Sequence, residues 1–183
     1  MRSLSKNMNN ILDTLACKYG VDKKIGDGCH GYVETYYNLL RDNRDIVKKV
    51  MEIGVWKGGS LKMWQDFFPL AQIYGLDNHK ELLFEADRIK CFFVEQKEEA
   101  TLFKVIEDIG KDFDLIVDDG SHEIEDQLLS FKIFFPIIKK DGIYVIEDVF
   151  VENFDRIKIE LKDYDYKIFP SNLPNYSLII INK

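Results

Sequence analysis

Two acidic pairs stand where runs of apolar residues end. Asp118-Asp119 follows Asp114-Leu115-Ile116-Val117, Glu147-Asp148 follows Tyr144-Val145-Ile146, and His122 lies three residues beyond Asp119. Carboxylates crowded together repel one another, and unpaired buried charge is costly, so a bound cation is a natural reason for their coexistence. Oxygen ligands in an open octahedral shell, completed by water and substrate, point to magnesium or manganese. Asp119, Glu147 and Asp148 are the candidate ligands. Acids at such positions also cap helices and form turns, which is the alternative reading of any one of them. Imidazole, with an ordinary pKa of about 6.5, is too weak a base to ionise an aliphatic hydroxyl in advance. A cation that stabilises the developing alkoxide changes this, and a histidine beside it can then take the proton during attack. His122 is therefore the candidate base, although a loop histidine is equally often a hydrogen-bonding residue.

A second constellation lies earlier, at Glu52-Ile53-Gly54-Val55-Trp56-Lys57-Gly58-Gly59-Ser60. A glycine turn after an apolar run that opens a helix lets backbone approach a ligand closely. The dinucleotide pattern G-x-G-x-x-G requires a second glycine where this chain has Trp56, so a nicotinamide cofactor is disfavoured. No Gly-Lys-Ser/Thr follows, so the turn is not a P-loop either. What remains is E-x-G-x-x-x-G, able to hold a smaller zwitterionic group at a helix N-terminus. Asp77 closes the next run, Ile73-Tyr74-Gly75-Leu76, where a carboxylate can accept two ribose hydroxyls. The cofactor candidates are thus Glu52, Gly54, Gly58, Ser60, Asp77 and Asp118, together with Gln96, which either reaches the ligand edge or faces solvent.

The elements that must position these residues follow from periodicity. From about residue 47, short β-branched or aromatic runs alternate with segments of helical period, the pattern of βαβ units around a parallel sheet. Strands are expected at Lys48 to Ile53, Gln72 to Leu76, Cys91 to Val94, Phe113 to Val117 and Gly142 to Ile146. Between the last two, Ile124, Leu128, Phe131 and Phe135 mark one helix stripe, which Pro136 helps to end. Tyr166 to Phe169 and Ser177 to Ile181 are joined too tightly for a crossover helix and should form a terminal antiparallel hairpin. The expectation is an α/β, Rossmann-like, seven-stranded sheet, mostly parallel and flanked by helices, with its ligands beyond the carboxyl ends of the strands. Residues 1–46 read as a helical lid or flank, with helices at Ile11 to Lys18 and Tyr32 to Leu40 around a Gly-rich turn; 47–183 read as the sheet domain, and the whole as one compact unit.

Composition narrows the function classes. The chain has 183 residues and a formal net charge of −7, which repels phosphate backbones and anionic lipid, so neither nucleic acid nor a membrane surface is expected as partner. Cys17, Cys29 and Cys91 are widely spaced, with no CxxC pair, and read as reduced thiols. There is no apolar leader before Asp13 and nothing near the roughly 20 apolar residues that span a bilayer, so a cytoplasmic location is expected.

The Gly54, Gly58 and Asp77 pattern resembles class I S-adenosylmethionine (SAM) methyltransferases, in which the first turn faces the methionine part and the second-strand acid holds the ribose. The whole set resembles a narrower group, metal-dependent sugar O-methyltransferases acting on rhamnose and related deoxysugars of macrolide and polyketide antibiotics, with the related cephalosporin hydroxylase-like proteins. The likeness is carried by Tyr19-Gly20-Val21-Asp22-Lys23, His30-Gly31-Tyr32, Glu52-Ile53-Gly54-Val55, Gly58-Gly59-Ser60-Leu61 and Ile73-Tyr74-Gly75-Leu76-Asp77, and most specifically by Asp118-Asp119-Gly120-Ser121-His122 and Tyr144-Val145-Ile146-Glu147-Asp148. It implies SAM and magnesium as cofactors, Asp119, Glu147 and Asp148 as metal ligands, His122 as base, and a sugar or glycosylated small molecule as acceptor, with a rhamnose-like 2-OH the first choice. The insert Lys24 to Cys29 and the Glu in Val94-Glu95-Gln96 depart from the family pattern. The large N-terminal region of some macrolide-modifying relatives is not in this sequence, so their oligomeric state does not carry over; a homodimer is the expectation from apolar surface around the first helices. Tyr19, Asp22, His30 and Tyr32 are candidates to close over cofactor or sugar, with plain packing the alternative for Tyr32. Two other functions fit the same residues: methylation of a catechol or other vicinal diol, and a SAM-binding module without catalysis.

Overall fold

The computed structural model describes residues 10–183, so the first nine residues of the expected 1–46 flank lie outside the described residues. Helix α1 (Ile11–Tyr19) starts where the Asn10 side chain accepts from the Leu12 and Asp13 amides, and ends at Gly20 in the left-handed conformation. Helix α2 (Tyr32–Leu40) follows, then β1 (Lys49–Ile53), α3 (Gly59–Phe67), β2 (Gln72–Asp77), β3 (Glu85–Ala86), β4 (Ile89–Phe93), α4 (Glu99–Ile109) and β5 (Phe113–Asp118). Then come α5 (Ile124–Phe134), β6 (Ile138–Phe150), α6 (Phe154–Glu160), β7 (Asp165–Pro170) and β8 (Tyr176–Asn182). No helix among the described residues is long and apolar enough to cross a membrane.

The sheet order is β3-β4-β2-β1-β5-β6-β8-β7. Strands β4, β2, β1, β5 and β6 are parallel, and β8 pairs antiparallel with both β6 and β7, as the short final link requires. The sheet has eight strands rather than seven because Glu85–Ala86 adds a two-residue antiparallel edge to β4, too short to leave a period in the sequence. The chain runs outward from β1 to β2 and β4, then returns to place β5 on the other side of β1. The switch point therefore lies between β1 and β5, where a doubly wound sheet opens a crevice for ligands.

Period-two alternation divides the strand side chains between two cores. Val50, Ile73, Leu115, Val117 and Val145 face Leu12, Tyr36, Leu61 and Trp64 of α1, α2 and α3. Met51, Ile116, Tyr144 and Ile146 face Leu102, Leu128, Phe131 and Ile157 of α4, α5 and α6. The segment read as a lid or flank thus supplies two of the three helices that cover one face of the sheet.

Strand β6 departs most from its expected bounds, with 13 residues and two breaks in register, one on each side of its parallel core. The second break falls between Ile146 and Val149, with Asp148 at φ 53. A bulge of this kind turns a side chain away from its alternating direction. Here it lets Glu147 and Asp148, neighbours in sequence, both point toward α2, as their bonds to Tyr36 and Tyr32 show.

Candidate active site

A cavity of about 340 Å3 opens over the carboxyl ends of β1, β2, β4 and β5, lined among others by Gly54, Asp77, Gln96 and Gly120. Asp77 holds its mouth together: Oδ2 accepts from the Val55 amide at 2.8 Å and the Trp56 amide at 3.2 Å, and Oδ1 accepts from the His79 amide at 2.8 Å. One carboxylate thus fixes the glycine turn against the loop after β2 while presenting itself to the cavity. Gly54 has φ 96, and a Cβ there would strike the Asp119 carbonyl oxygen, so this glycine lets the β1 turn lie against the loop after β5. Gly58, the N-cap of α3 at φ 71, leaves room for the Phe84 ring. Trp56 does not fill the turn: its indole is 71% exposed, its φ is 47, and it borders both this cavity and a second one of about 230 Å3 beside Ser60, Lys23 and Asp119.

Gln96 borders the cavity and does not face solvent. It is buried; its nitrogen donates to Asp118 at 2.9 and 3.0 Å and to Ser130 at 3.1 Å, and its oxygen accepts from the Ser121 amide at 2.9 Å. Asp118 lines neither cavity. Burial raises its pKa to about 7, against the opposing pull of Gln96 and the Gly120 amide. These two residues brace the loop that carries Asp119 and His122. Gln96→Leu strands both the Asp118 carboxyl and the Ser121 amide, and should lower unfolding free energy by about 3 kcal/mol. Urea titration checks this, and a loss under about 1 kcal/mol would mean the brace is dispensable.

Beside the cavity, Asp119, His122 and Asp148 each place one ligand atom within 4.8 Å of the others. Two of the three have strained backbone, His122 at φ 61 and Asp148 at φ 53, and such strain persists where surrounding structure holds it. His122 Nδ1 is buried with no hydrogen-bond partner among the described residues, and a buried polar atom left unpaired is costly unless something else engages it. Asp148 Oδ1 accepts from Tyr32 at 2.8 Å and sits 2.9 Å from His30 Nδ1, which also meets Ser171 Oγ at 3.1 Å. Burial works to raise the Asp148 pKa, but His30 and Tyr32 outweigh it and the carboxyl titrates low; burial likewise works against the His30 cation, and Asp148 overcomes it.

Glu147 is not brought to this cluster. Its carboxylate is buried in a network that meets the cluster at Asp119 through Lys23, accepting from Lys23 Nζ at 2.8 Å and from Tyr36 at 2.5 Å. Tyr32 and Tyr36 are one turn apart on α2, so a single helix face holds the two adjacent acids. Glu52 belongs to the same network, with its Oε2 on the Trp64 indole at 2.9 Å and its Oε1 3.3 Å from Lys23. Burial raises Glu52 to about 7, with the Lys23 charge and Ser60 hydroxyl pulling the other way. Lys23 also contacts Asp119 at 2.5 Å, and three carboxylates overcome the burial that would lower its pKa and raise it well above the ordinary lysine value. Neither Lys23 nor Tyr36 was among the candidate site residues. A loop lysine between Asp22 and Lys24 has no periodic signal, and Tyr36 reads as core; only the excess of acids over visible cations hinted at a missing partner.

Of the remaining candidates, Tyr19 gives its hydroxyl to Asp66 of α3 at 2.6 Å, and Asp22 is exposed, its backbone oxygen accepting from the His30 amide at 2.9 Å. The three cysteines are free.

A mostly parallel sheet with an antiparallel C-terminal hairpin, a cavity at its switch point and an acid-rich cluster beside it is the architecture of class I methyltransferases. No family model matches the chain. It is 38% identical over 127 residues to mycinamicin VI 2''-O-methyltransferase of Micromonospora griseorubida, covering 66% of this chain and 32% of that protein. It is 33% identical over 145 residues to the 8-demethyl-8-(2-methoxy-alpha-L-rhamnosyl)-tetracenomycin-C 3'-O-methyltransferase of Streptomyces olivaceus, covering 75% of this chain and 36% of that one. Among solved structures, the MycE methyltransferase from the mycinamycin biosynthetic pathway, in complex with Mg and SAH, superposes with a TM-score of 0.74 at 27% identity, over 92% of this chain and 53% of its own. The chain is therefore a relative of the sugar O-methyltransferases, as its motifs imply, and it spans about a third of the length of the curated relatives it matches.

Proposed function

We propose that this chain transfers a methyl group from SAM to a hydroxyl of a sugar or glycosylated small molecule, with a divalent cation bound by Asp119 and Asp148 and with His122 as base. A rhamnose-like 2-OH is the first acceptor to test; the relatives' names include both 2- and 3-position enzymes. The observation that carries the reading is the adjacency of two features: a cavity bordered by Gly54 and Asp77, and a cluster of two acids and a histidine with an orphaned buried nitrogen. Magnesium commonly takes one or two carboxylates, with water and substrate oxygens filling the rest of its shell, so the two acids suffice. When bound, SAM supplies the electrophilic methyl and the cation lowers the pKa of the acceptor hydroxyl.

The protein's own part is positioning and proton handling. In this reading Asp77, at the mouth of the cavity, accepts the ribose hydroxyls, and the Gly54 turn holds the donor against the loop bearing Asp119. His30 and Tyr32 keep Asp148 ionised and aimed. A nitrogen that gives its lone pair to a cation cannot also take a proton, so His122 is assigned the acceptor's proton and the carboxylates the ion. Much of the acceleration would then come from alignment of acceptor and donor.

Incubation with SAM, magnesium and a simple rhamnoside should give a mono-O-methyl product, located by NMR. Treatment with a chelator should abolish turnover, and magnesium or manganese should restore it. Full activity in chelator-stripped protein, or no transfer to any polyol while SAM binds normally, would end this reading.

A further inference from the structure

Lys23 is 1% exposed and faces one acid from each of three neighbouring strand ends: Glu52 from β1 at 3.3 Å, Asp119 after β5 at 2.5 Å and Glu147 in β6 at 2.8 Å. Its loop is closed on itself by backbone bonds. His30 donates to Asp22, Gly31 to Lys24 and Val33 to Lys23 itself. This brings Lys23 and His30 to the acids from one short segment, the lysine on Asp119 and Glu147 and the histidine on Asp148. Among the described residues Glu52 Oε1 is buried without a hydrogen-bond partner, and Lys23 Nζ lies 3.3 Å from it. Asp119 is shared between this network and the cluster with His122 and Asp148.

We propose that Lys23 is a built-in counter-ion of the acid site, a positioning residue that holds Asp119 in place before a divalent cation arrives and weakens the binding of that cation. The inference rests on the reading that Asp119 and Asp148 hold such an ion. Both effects follow from one geometry. A single ammonium against two buried carboxylates, Glu52 and Glu147, and the partly exposed one of Asp119 keeps the acids together when no other cation is present. The same ammonium, in contact with a carboxylate that must also serve the dication, repels the incoming charge. A site arranged in this way would bind its ion loosely until an acceptor adds its own oxygens. The Glu147 carboxylate is engaged by Lys23 and Tyr36 in the same arrangement.

The two effects have opposite signs on removal, which separates this role from a purely structural one. Lys23→Met keeps the length of the side chain and deletes its charge. In EDTA its melting temperature should fall below that of the parent, and magnesium should raise it by more than it raises the parent. Its Kd for magnesium alone, by calorimetry, or for manganese alone, by electron paramagnetic resonance, should be roughly tenfold tighter. Lys23→Arg should return both quantities close to the parent values.

A folded Lys23→Met protein with unchanged or weaker metal affinity would overturn the proposal. Should that variant fail to fold without metal, the Lys23→Met/Glu147→Gln protein is compared with Glu147→Gln alone. The same tightening is expected there, and its absence overturns the proposal equally. A parent protein that binds neither ion would remove the metal reading itself, and this inference with it.

Discussion

Asp148→Asn should abolish detectable metal binding at millimolar magnesium and lower turnover about 1000-fold, while His122→Asn should lower turnover by roughly 100-fold to 10,000-fold and leave metal affinity within a few-fold of the parent. Asparagine suits both positions as a probe because both have positive φ, 53 at Asp148 and 61 at His122, a conformation that asparagine tolerates better than most residues. At 148 its carbonyl can still accept from Tyr32 and from His30, so the substitution removes a charge and little else. The melting temperature should therefore move by only a few degrees. Loss of even an outer partner of a metal ligand commonly costs 10-fold to 100-fold in affinity, so loss of a ligand's charge should cost at least that. At 122 the ring that holds the orphaned nitrogen disappears while the carboxylates stay. Calorimetry with magnesium and single-turnover kinetics with SAM and acceptor separate the two roles. If His122→Asn weakens magnesium as severely as Asp148→Asn does, His122 is a ligand and another group must take the proton.

The difference between these two residues shows what a linear sequence conveys about such a site and what it does not. Carboxylates at the end of β5 and at the end of the parallel part of β6 were legible because apolar runs make those ends easy to place and parallel strands put them on one rim. The terminal hairpin was legible because Pro170 to Tyr176 is too short to cross the sheet. Which way each carboxylate points was not legible. Strict alternation would put Glu147 and Asp148 on opposite faces, and only the register shift between Ile146 and Val149, where β6 meets β8, turns both toward α2. That shift is a property of pairing between segments roughly thirty residues apart in the chain, with no local mark at Glu147 or Asp148. Lys23 was hidden for a related reason. It answers acids from three distant strands, and its own neighbours in sequence, Asp22 and Lys24, give it the look of an ordinary charged loop. Gln96 was legible as a residue of the cavity edge but not as a brace, because its bonds to Asp118 and Ser121 require the loop after β4 to meet the loop after β5.

Gly54→Ala is the substitution that should do most harm for the fewest atoms. The turn after β1 was read as a close approach of backbone to ligand, and the structure adds a second constraint, because the space a Cβ would occupy is already taken by the Asp119 carbonyl oxygen. Backbone cannot yield there as the end of a flexible side chain could: Asp119 N donates to Ile53 O at 3.0 Å and Gly54 N to Leu76 O at 2.8 Å, which ties β1, β2 and β5 together at the switch point. Alanine is strained as well at φ 96. Clash and strain together should cost about 2 to 6 kcal/mol, each contributing on the order of 1 to 3. The damage should also be functional, since any relief of the clash must push Asp119 away from Asp148 or close the cavity beside Asp77. The expected result is a sharply lowered urea midpoint and, in whatever fraction stays folded, weakened binding of both S-adenosylhomocysteine and magnesium. A control at Gly26, where a Cβ meets nothing within 4 Å, should leave both affinities unchanged despite its own positive φ of 149. Gly54→Ala protein with parental stability and parental affinities would show that close packing of the β1 and β5 loops does not set the position of Asp119.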